Sequence, residues 1–170
     1  MANRPLARAT LLGLLLLAGC VQVPVDSSGS ATPAAGEIPF RFQGTGDAAI
    51  VVPVLLNGEG PYDFVLDTGA TLTCLDSTLA RELDLPDARG VVGRGATLGS
   101  SGRVNVYRLD SFAIGDATVK DLMACALDLE HIRGAGLDVN GLVGLNVLKQ
   151  YTMTIDFERR MLRLDPGSRR

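Results

Sequence analysis

Short aliphatic runs separated by turn-forming residues dominate the chain from residue 49 onward. The run 49–56 is rich in β-branched residues and predicts a strand, in which Pro53 indicates an edge or a bulge. Asn57-Gly58 is typical of a tight turn, and 62–66 predicts the second strand of a hairpin. This hairpin delivers Asp67 at the C-terminal end of its second strand.

Two further hairpins are predicted in the second half of the chain. Residues 109–114 and 118–127 flank a Gly115-Asp116 turn, and 151–157 alternates apolar and polar positions before 161–164. The chain holds 20 glycines and is 46% hydrophobic, which suits many turns between short strands around one aliphatic core. We therefore predict an all-β fold.

Helical signals are few and short. Asp76-Ser77 predicts the N-terminal cap of a helix that runs through Leu83, and Pro86 ends it. A second short amphipathic helix is expected directly after Gly144. The all-β fold is thus expected to carry one or two short helices.

Chain length limits the number of domains. At about 100 to 200 residues per domain, 170 residues allow one globular domain with short appendages. We assign the domain to 38–166 and a tail to 167–170. No internal repeat is visible, so a two-lobed protein is not expected.

The N-terminus has the pattern of an export signal, assigned to residues 1–20. Arg4 and Arg8 precede an apolar run, 9–17, that is too short to span a bilayer as a helix. The run ends Leu17-Ala18-Gly19-Cys20, which resembles the lipobox of bacterial lipoproteins, where Cys20 would be lipidated and become the mature N-terminus. An ordinary secretory signal with a chance cysteine is the alternative.

The segment after Cys20 is expected to tether the domain to a membrane. Residues 21–37 are rich in Ser, Pro, Ala and Gly and cannot bury enough apolar surface to order themselves. The lipobox resemblance implies a place in the bacterial cell envelope, on the periplasmic face. Val21 stands where Asp would signal inner-membrane retention in many Gram-negative species, which favours the outer membrane over the inner.

Charge and ligand-type residues exclude several function classes. Removing the signal leaves 14 basic (16 − 2) against 19 acidic side chains, a net charge near −5, which argues against nucleic acid as a partner. A single histidine, His131, and the absence of paired-ligand spacing argue against a metal site. Cys74 and Cys125 form an even pair that could be a disulfide or two small buried thiols.

Asp67-Thr68-Gly69 is the candidate catalytic sequence. Hydrolysing a peptide without a metal or a covalent intermediate needs one group that takes a proton from water and one that protonates the carbonyl, and two carboxylates can do both. The hydroxyl of Thr68 can bond backbone groups, and Gly69 permits a tight turn with a free amide. Alone the motif Asp-Ser/Thr-Gly is weak, because about one chain in ten of this length would contain it by chance.

The wider context makes the pattern specific. The sequence of 64–71, Phe-Val-Leu-Asp-Thr-Gly-Ala-Thr, followed by Thr73-Cys74-Leu75, resembles the retropepsin-type aspartyl protease family. A second family landmark is matched by Leu142-Val143-Gly144, with Gly144 lying 75 positions after Gly69 (144 − 69). The similarity extends from about residue 50 to 164.

The resemblance implies a closed β-barrel-like acid protease fold with a flap hairpin that covers the substrate. The flap would lie at 93–102 and include Gly93, Gly95, Gly99 and Gly102, although a flexible surface hairpin without a lid role is the alternative. The resemblance also gives Thr68 and Ala70 supporting roles in the catalytic loop. Thr71 departs from the retroviral pattern, in which an acid contacts the substrate backbone.

These patterns together predict an aspartic endopeptidase that acts as a homodimer, with Asp67 from each copy, a water between them, a peptide substrate and no cofactor. The alternative from another class is a non-catalytic peptide-binding or envelope-binding lipoprotein that retains the protease fold. A structural outer-membrane lipoprotein with Asp67 as a turn residue is a third hypothesis.

Overall fold

A computed structural model describes residues 36–88, 93–97 and 100–167. The chain divides into two units, 1–30 and 31–170, and every described residue belongs to the second. The predicted signal peptide with Cys20 lies outside the described residues, as do the tether up to residue 35 and most of the predicted tail. No helix in the described ranges is long and apolar enough to cross a membrane.

Strands account for most of the described chain, and the helices are short. The strands are β1 (Glu37–Pro39), β2 (Arg41–Gln43), β3 (Ala49–Leu56), β4 (Glu59–Leu66), β5 (Cys74–Asp76), β6 (Gly93–Thr97), β7 (Ser100–Val104), β8 (Val106–Ile114), β9 (Ala117–Leu127), β10 (Gly141–Val143), β11 (Tyr151–Asp156) and β12 (Met161–Pro166). The helices are α1 (Ser77–Glu82), α2 (Glu130–Arg133) and α3 (Leu145–Leu148).

Six of these strands close into a barrel. The larger sheet runs β2-β3-β4-β10-β5-β9-β8, and an additional pairing of β3 with β8 joins its ends so that only β2 remains outside the ring. A second sheet, β1-β12-β11, brings the first and last strands together. The predicted all-β, barrel-like fold class is confirmed.

The core consists of aliphatic side chains around two aromatic rings. Phe64 of β4 and Phe112 of β8 are fully buried and meet edge to face with ring centroids 5.7 Å apart. Leu75 of β5 and Leu109 of β8 are also fully buried. Because these side chains come from strands far apart in sequence, barrel closure is what buries them.

Pro53 lies in an interior strand, yet its missing amide leaves no gap in the pairing. On one side of β3, β2 pairs with 49–51 and β8 pairs with 55–56, so Pro53 falls between the two partners. On the other side it stands opposite Asp63, just before a register shift between Val54 and Leu56. Pro53 is therefore not on an edge strand. It lies between the segments of β3 that pair with β2 and β8, next to the register shift.

The predicted hairpins are present. Strand β3 has the predicted bounds, β11 ends one residue earlier than predicted, and β4, β8, β9 and β12 are longer than the patterns indicated. Asn57 and Gly58 both have positive φ, +52° and +84°, as a two-residue hairpin turn requires. The hairpin turn between β8 and β9 lies at Gly115-Asp116, as predicted. The short strands β1 and β2 and the single-turn helix α2 were not predicted.

Both predicted helices form. Asp76 caps α1 by accepting a hydrogen bond from the Thr78 amide at 2.8 Å. The helix ends at Glu82, one residue before the predicted end. Helix α3 follows Gly144 and buries Val147 and Leu148 against the core.

The glycine-rich segment forms its own two-stranded sheet. Strands β6 and β7 pair antiparallel, with Gly95 opposite Gly102 and Gly93 opposite Val104. Gly99 lies outside the described residues. The predicted hairpin is thus present in its described backbone.

Candidate active site

Asp67 directly follows β4 and begins a turn. At this point of the barrel, β4 and β10 lie side by side. Strand β10 pairs parallel with β4, and Val143 lies opposite Leu66. The Asp67 amide continues this ladder by donating to the Val143 carbonyl at 3.0 Å. The backbone of Asp67 is therefore fixed by the second sequence landmark.

The turn aims its own amides at Asp67. The Gly69 amide donates to Asp67 Oδ1 at 2.8 Å, and the Ala70 amide donates to the Asp67 carbonyl at 3.3 Å. Thr68 and Gly69 are exposed, whereas Asp67 is half-buried. An amide donor orients one carboxylate oxygen and leaves the other available for a reacting partner.

Two glycines allow β10 to approach this turn. A Cβ on Gly141 would lie 2.3 Å from Phe64 Cε1 and 2.5 Å from the Cys74 carbonyl oxygen. A Cβ on Gly144 would lie 2.4 Å from the carbonyl carbon and oxygen of Leu72. Since backbone atoms cannot move aside cheaply, the Gly144 position accepts only glycine.

Helix α3 ties its first residues to the other end of the turn. The Leu145 amide donates to the Ala70 carbonyl at 2.8 Å, and the Asn146 amide donates to the Thr71 carbonyl at 3.1 Å. The structure thus brings Asp67, Thr68, Gly69 and Ala70 together with Leu142, Val143 and Gly144.

An amide side chain that the sequence analysis missed holds the chain after this turn. Asn146 Oδ1 accepts from the Thr73 amide at 2.7 Å and from the Thr73 hydroxyl at 2.9 Å, while Asn146 Nδ2 donates to the Met123 carbonyl at 2.9 Å. The Thr73 hydroxyl in turn accepts from the Gly144 amide at 3.0 Å. The available signal was a polar residue two positions after Leu142-Val143-Gly144, within an otherwise apolar run.

A second missed residue, Asn140, joins three strands at the start of β10. Its side-chain oxygen accepts from the Asp63 amide at 3.0 Å, and its own amide donates to the Asp63 carbonyl at 2.7 Å. The Asn140 carbonyl accepts from the Asp76 amide at 2.7 Å. Asn140 was visible in sequence only as part of an Asn-Gly turn signal.

The buried carboxylate of Asp76 forms an ion pair with Arg133. Arg133 of α2 donates to Asp76 Oδ2 at 2.9 Å. Burial acts to raise the pKa of Asp76, but hydrogen bonds from the Thr78 and Leu129 amides and the charge and hydrogen bond of Arg133 together lower it. This pair connects α1 to the segment that leads into β10.

Cys74 and Cys125 stand directly opposite each other on β5 and β9. Their Cα atoms are 4.4 Å apart and their sulfur atoms lie within bonding reach. This spacing is at the short end of the range that disulfides occupy. The pair lies one residue from Thr73, beside the strands that support the Asp67 turn.

Metal ligation has no support in the described part of the chain. Those residues contain no group of three or more His, Cys, Asp or Glu side chains that could hold a metal ion. His131 lies in α2, and its side chain is outside the described residues.

Comparison with solved structures found similarity to two proteases and one protease-like domain. A retropepsin-like aspartic protease from Rickettsia conorii matches at TM-score 0.52 and 23% identity, covering 76% of this chain and 89% of that one. EIAV protease complexed with the inhibitor HBY-793 matches at TM-score 0.42 and 17% identity, covering 58% and 84%. The retroviral protease-like domain of Ddi1 from Leishmania major matches at TM-score 0.42 and 16% identity, covering 71% and 94%.

Sequence comparison gives the family. A search of curated protein sequences found no significant match. The family model described as aspartyl protease matches residues 52–147, more than half of the 170 residues, and this range contains both the Asp67 turn and Gly144. The chain therefore belongs to the aspartyl protease family and has the fold of retropepsin-like enzymes.

Proposed function

We propose that the protein is an aspartic endopeptidase that works as a homodimer, with the Asp67 carboxylates of two copies on either side of one water molecule. The observation that carries the proposal is the Asp67 turn, in which the Gly69 amide orients the carboxylate and the Val143 carbonyl fixes the backbone. The aspartyl protease family model, which covers both this turn and Gly144, supports the same assignment.

The proposed reaction uses one ionised and one protonated carboxylate. The ionised carboxylate takes a proton from the water as its oxygen attacks the peptide carbonyl carbon, and the protonated one gives its proton to the carbonyl oxygen. The resulting gem-diol collapses when its carbon–nitrogen bond breaks. The amine leaves with the proton held by one carboxyl group of the dyad. One hydroxyl proton of the diol passes to the other carboxylate, and the second stays on the product carboxylic acid.

Only one such carboxylate comes from each chain. The sequence contains a single Asp-Thr-Gly, and Asp67 lies in a turn whose neighbours Thr68 and Gly69 are exposed. Two carboxylates that face each other at close range share one proton, which lets one act as base and the other as acid. The second carboxylate is supplied by the second copy.

Asp67→Asn tests the proposal directly. Asparagine preserves the size of the side chain and its ability to accept from the Gly69 amide, but it cannot take a proton from water. We expect peptide cleavage at acidic pH to fall about 1,000-fold or more, as when other catalytic groups are removed. The exposed turn residue Asp116 provides the matched control, Asp116→Asn, which should cleave like the wild type.

Cleavage by Asp67→Asn at the wild-type rate, under conditions where the wild type is dimeric, would contradict the enzyme proposal. A wild-type protein that binds peptides without cleaving them would instead support a non-catalytic binding protein.

We also propose that the β6–β7 hairpin closes over the bound peptide. A glycine pair at Gly95 and Gly102, directly opposite each other, suits a hairpin that must change shape. Binding of a peptide inhibitor should then slow amide hydrogen exchange in residues 93–97 and 100–104. Unchanged exchange in that hairpin at saturating inhibitor would refute a lid role.

For localisation we propose a lipid anchor at Cys20 that holds the domain on the periplasmic face of the bacterial envelope. The supporting pattern is Leu17-Ala18-Gly19-Cys20 after a short apolar run. Cys20→Ala should abolish fatty-acid labelling and membrane association together. Membrane association that survives the substitution would refute the lipid anchor.

A further inference from the structure

The most exposed large apolar side chain in the described ranges is Phe157, which is 60% exposed in the turn between β11 and β12. It stacks parallel to Phe42 of β2 with ring centroids 6.4 Å apart, and it meets Phe40 edge to face at 6.3 Å. Phe40 is buried and Phe42 is partly exposed. The three rings therefore form a cluster whose inner ring belongs to the core and whose outer ring lies on the surface.

The turn that carries Phe157 is held in place on both sides. The Arg159 amide donates to Asp156 Oδ1 at 2.9 Å, and the Phe40 amide donates to the Arg160 carbonyl at 3.0 Å. The Arg160 guanidinium carbon lies 5.6 Å from the centroid of the Phe42 ring, within the range of a cation–π contact. Phe157 is thus an exposed apolar group in a fixed position, so little ordering entropy is lost when it binds a partner.

Most charged side chains beside this cluster already have partners of opposite charge. The pairs are Arg159 with Glu37 and Arg41 with Asp63. Arg160 forms no ion pair with the residues that the structure describes, and Glu158 is exposed in the same turn. Because the charges of Arg160 and Glu158 offset each other, the surface around Phe157 has no excess of positive charge that would select an anionic partner. An apolar partner fits it better.

The chain enters the domain beside this cluster. Strand β1 begins at Glu37, whose carboxylate accepts two hydrogen bonds of 2.8 Å from Arg159, and β1 leads directly into Phe40. Glu37 lies 17 positions after Cys20 (37 − 20), the proposed site of the lipid. Seventeen residues span at most about 60 Å, so a lipid on Cys20 keeps this end of the domain near the membrane at a high effective concentration.

We propose that Phe157, together with Phe42 and Arg160, is a membrane-docking surface that inserts the Phe157 ring into the interfacial region of the bilayer that holds the Cys20 lipid. Exposed aromatic rings enter that region with their apolar surface, and a long arginine side chain can reach the lipid phosphates from beside them. The proposal rests on the proposed lipid anchor, because one exposed ring binds a membrane too weakly to hold an unattached domain.

The chain contains no tryptophan, so a single substitution introduces a unique fluorescent reporter. Phe157→Trp keeps an aromatic ring at the surface and reports whether that ring meets lipid. Leu55→Trp is the matched control, because Leu55 is 37% exposed on the same sheet. Leu55 lies five residues along β3 from Ile50, the residue opposite Phe42, which separates it from the cluster by about 17 Å.

Each full-length lipoprotein is reconstituted through its own lipid into vesicles of phosphatidylethanolamine and phosphatidylglycerol that carry either ordinary or brominated acyl chains. Bromine quenches tryptophan fluorescence only at close range. Flotation of the vesicles measures attachment of the protein, mass spectrometry measures the lipid on Cys20, and circular dichroism checks that each variant is folded.

We expect brominated chains to remove about half or more of the emission of the Phe157→Trp protein, because burial of an aromatic ring is favoured about tenfold or more and the lipid keeps the membrane close. The emission of the Leu55→Trp protein should stay nearly unchanged. Replacing phosphatidylglycerol with phosphatidylcholine should leave both results as they are, since the surface has no excess of positive charge.

The docking surface and the lipid anchor fail in different ways. Vesicles that carry the lipidated protein but quench neither reporter, or quench both equally, would overturn the docking surface and leave the anchor intact. Quenching confined to the Phe157→Trp protein without lipid on Cys20 would support the docking surface and contradict the anchor. A chain that carries no lipid and does not float with vesicles would overturn both.

Discussion

Asn146 shows how much of the site depends on one side chain outside the catalytic triplet. Its amide group satisfies the Thr73 amide, the Thr73 hydroxyl and the Met123 carbonyl at once. Thr73 is completely buried, so its polar groups have no easy access to water as a substitute. The hydroxyl of Thr73 then fixes the amide of Gly144, next to the catalytic turn.

Asn146→Ala should therefore destabilise the fold and weaken catalysis together. Three hydrogen bonds are lost and buried partners are left unsatisfied, so we expect the free energy of unfolding to fall by about 2–4 kcal/mol. Urea unfolding measures the change. Asn105→Ala, at an exposed asparagine, should stay within about 0.5 kcal/mol of the wild type. Equal urea midpoints for the two variants would show that the Asn146 bonds contribute nothing.

At the scale of elements, the Asp76–Arg133 ion pair connects the start of α1 to α2, the helix that precedes β10 in the chain. Asp76 is buried, and Arg133 is 40% exposed in its side chain, so water screens part of the attraction. The carboxylate also caps α1 through the Thr78 amide. One ionised group thus serves both the start of a helix and an ion pair.

The lowered pKa of Asp76 predicts a pH dependence of stability. A carboxyl group whose pKa is lower in the folded state stabilises that state above its unfolded pKa, about 3.9 for Asp, and loses this contribution as pH falls through the folded value. Asp76→Asn keeps a capping oxygen but loses the charge. It should cost about 1–2 kcal/mol at pH 7.

Urea unfolding of Asp76→Asn and wild type at pH 7 and pH 3 measures that dependence. The difference between them should shrink at pH 3, because this pH is below the pKa of about 3.9 that the carboxyl group has in the unfolded chain. Asp116→Asn, at an exposed turn, should show no comparable convergence. A difference that grows toward pH 3 would have the wrong sign for this mechanism.

Cys74 of β5 and Cys125 of β9 are separated by 51 residues of sequence, so a bond between them should affect stability. If they form a disulfide, the bond restricts the unfolded chain, and reduction should lower stability by about 2–5 kcal/mol, roughly 10 °C in Tm. Thermal unfolding with and without reductant measures this. A Cys74→Ala, Cys125→Ala double variant should not respond to reductant. Two free thiols in the untreated protein would contradict the disulfide.

Local sequence patterns predicted the elements well where each element is set by its own residues. The Asn57-Gly58 turn, the Asp76 cap and the Gly115-Asp116 turn all depend on residues adjacent in sequence. Strands β1 and β2 were missed because three residues each give too little periodicity. They are strands because β12 and β3 pair with them, which is a tertiary effect.

The candidate site was predictable to a similar degree. Asp67 and Gly69 were singled out by the Asp-Thr-Gly motif, and Gly144 by the family resemblance. The close approach of the Leu72 backbone gives the physical reason for glycine at position 144. Asn140 and Asn146 were missed because an isolated asparagine gives no local sign of the distant backbone groups that it bonds. Placing Val143 beside Asp67 also required β10 to insert between β4 and β5, which no local pattern encodes.

At the scale of the whole molecule, the barrel holds the proposed catalytic carboxylate, Asp67, in a turn whose next two residues are exposed. The first and last strands pair in a separate sheet, β1-β12-β11. Thr68 and Gly69, in the turn after Asp67, remain exposed. The proposed catalytic unit is therefore a pair of chains, whereas each barrel is formed by one chain. Activity should depend on how copies pair, which an experiment with mixed copies can measure.

Mixing wild type with Asp67→Asn should inhibit in proportion to the share of the variant. When copies pair at random, the fraction of wild-type chains whose partner also carries Asp67 equals the mole fraction of wild type, so a 1:3 mixture should retain about one quarter of the activity per wild-type chain. Peptide cleavage is measured at a fixed concentration of wild-type chains that lies above the dimer dissociation constant. The mixture is first incubated until chains have exchanged between dimers. Activity that is unaffected by Asp67→Asn chains, while sedimentation shows mixed dimers, would mean that one Asp67 suffices and would refute the shared site.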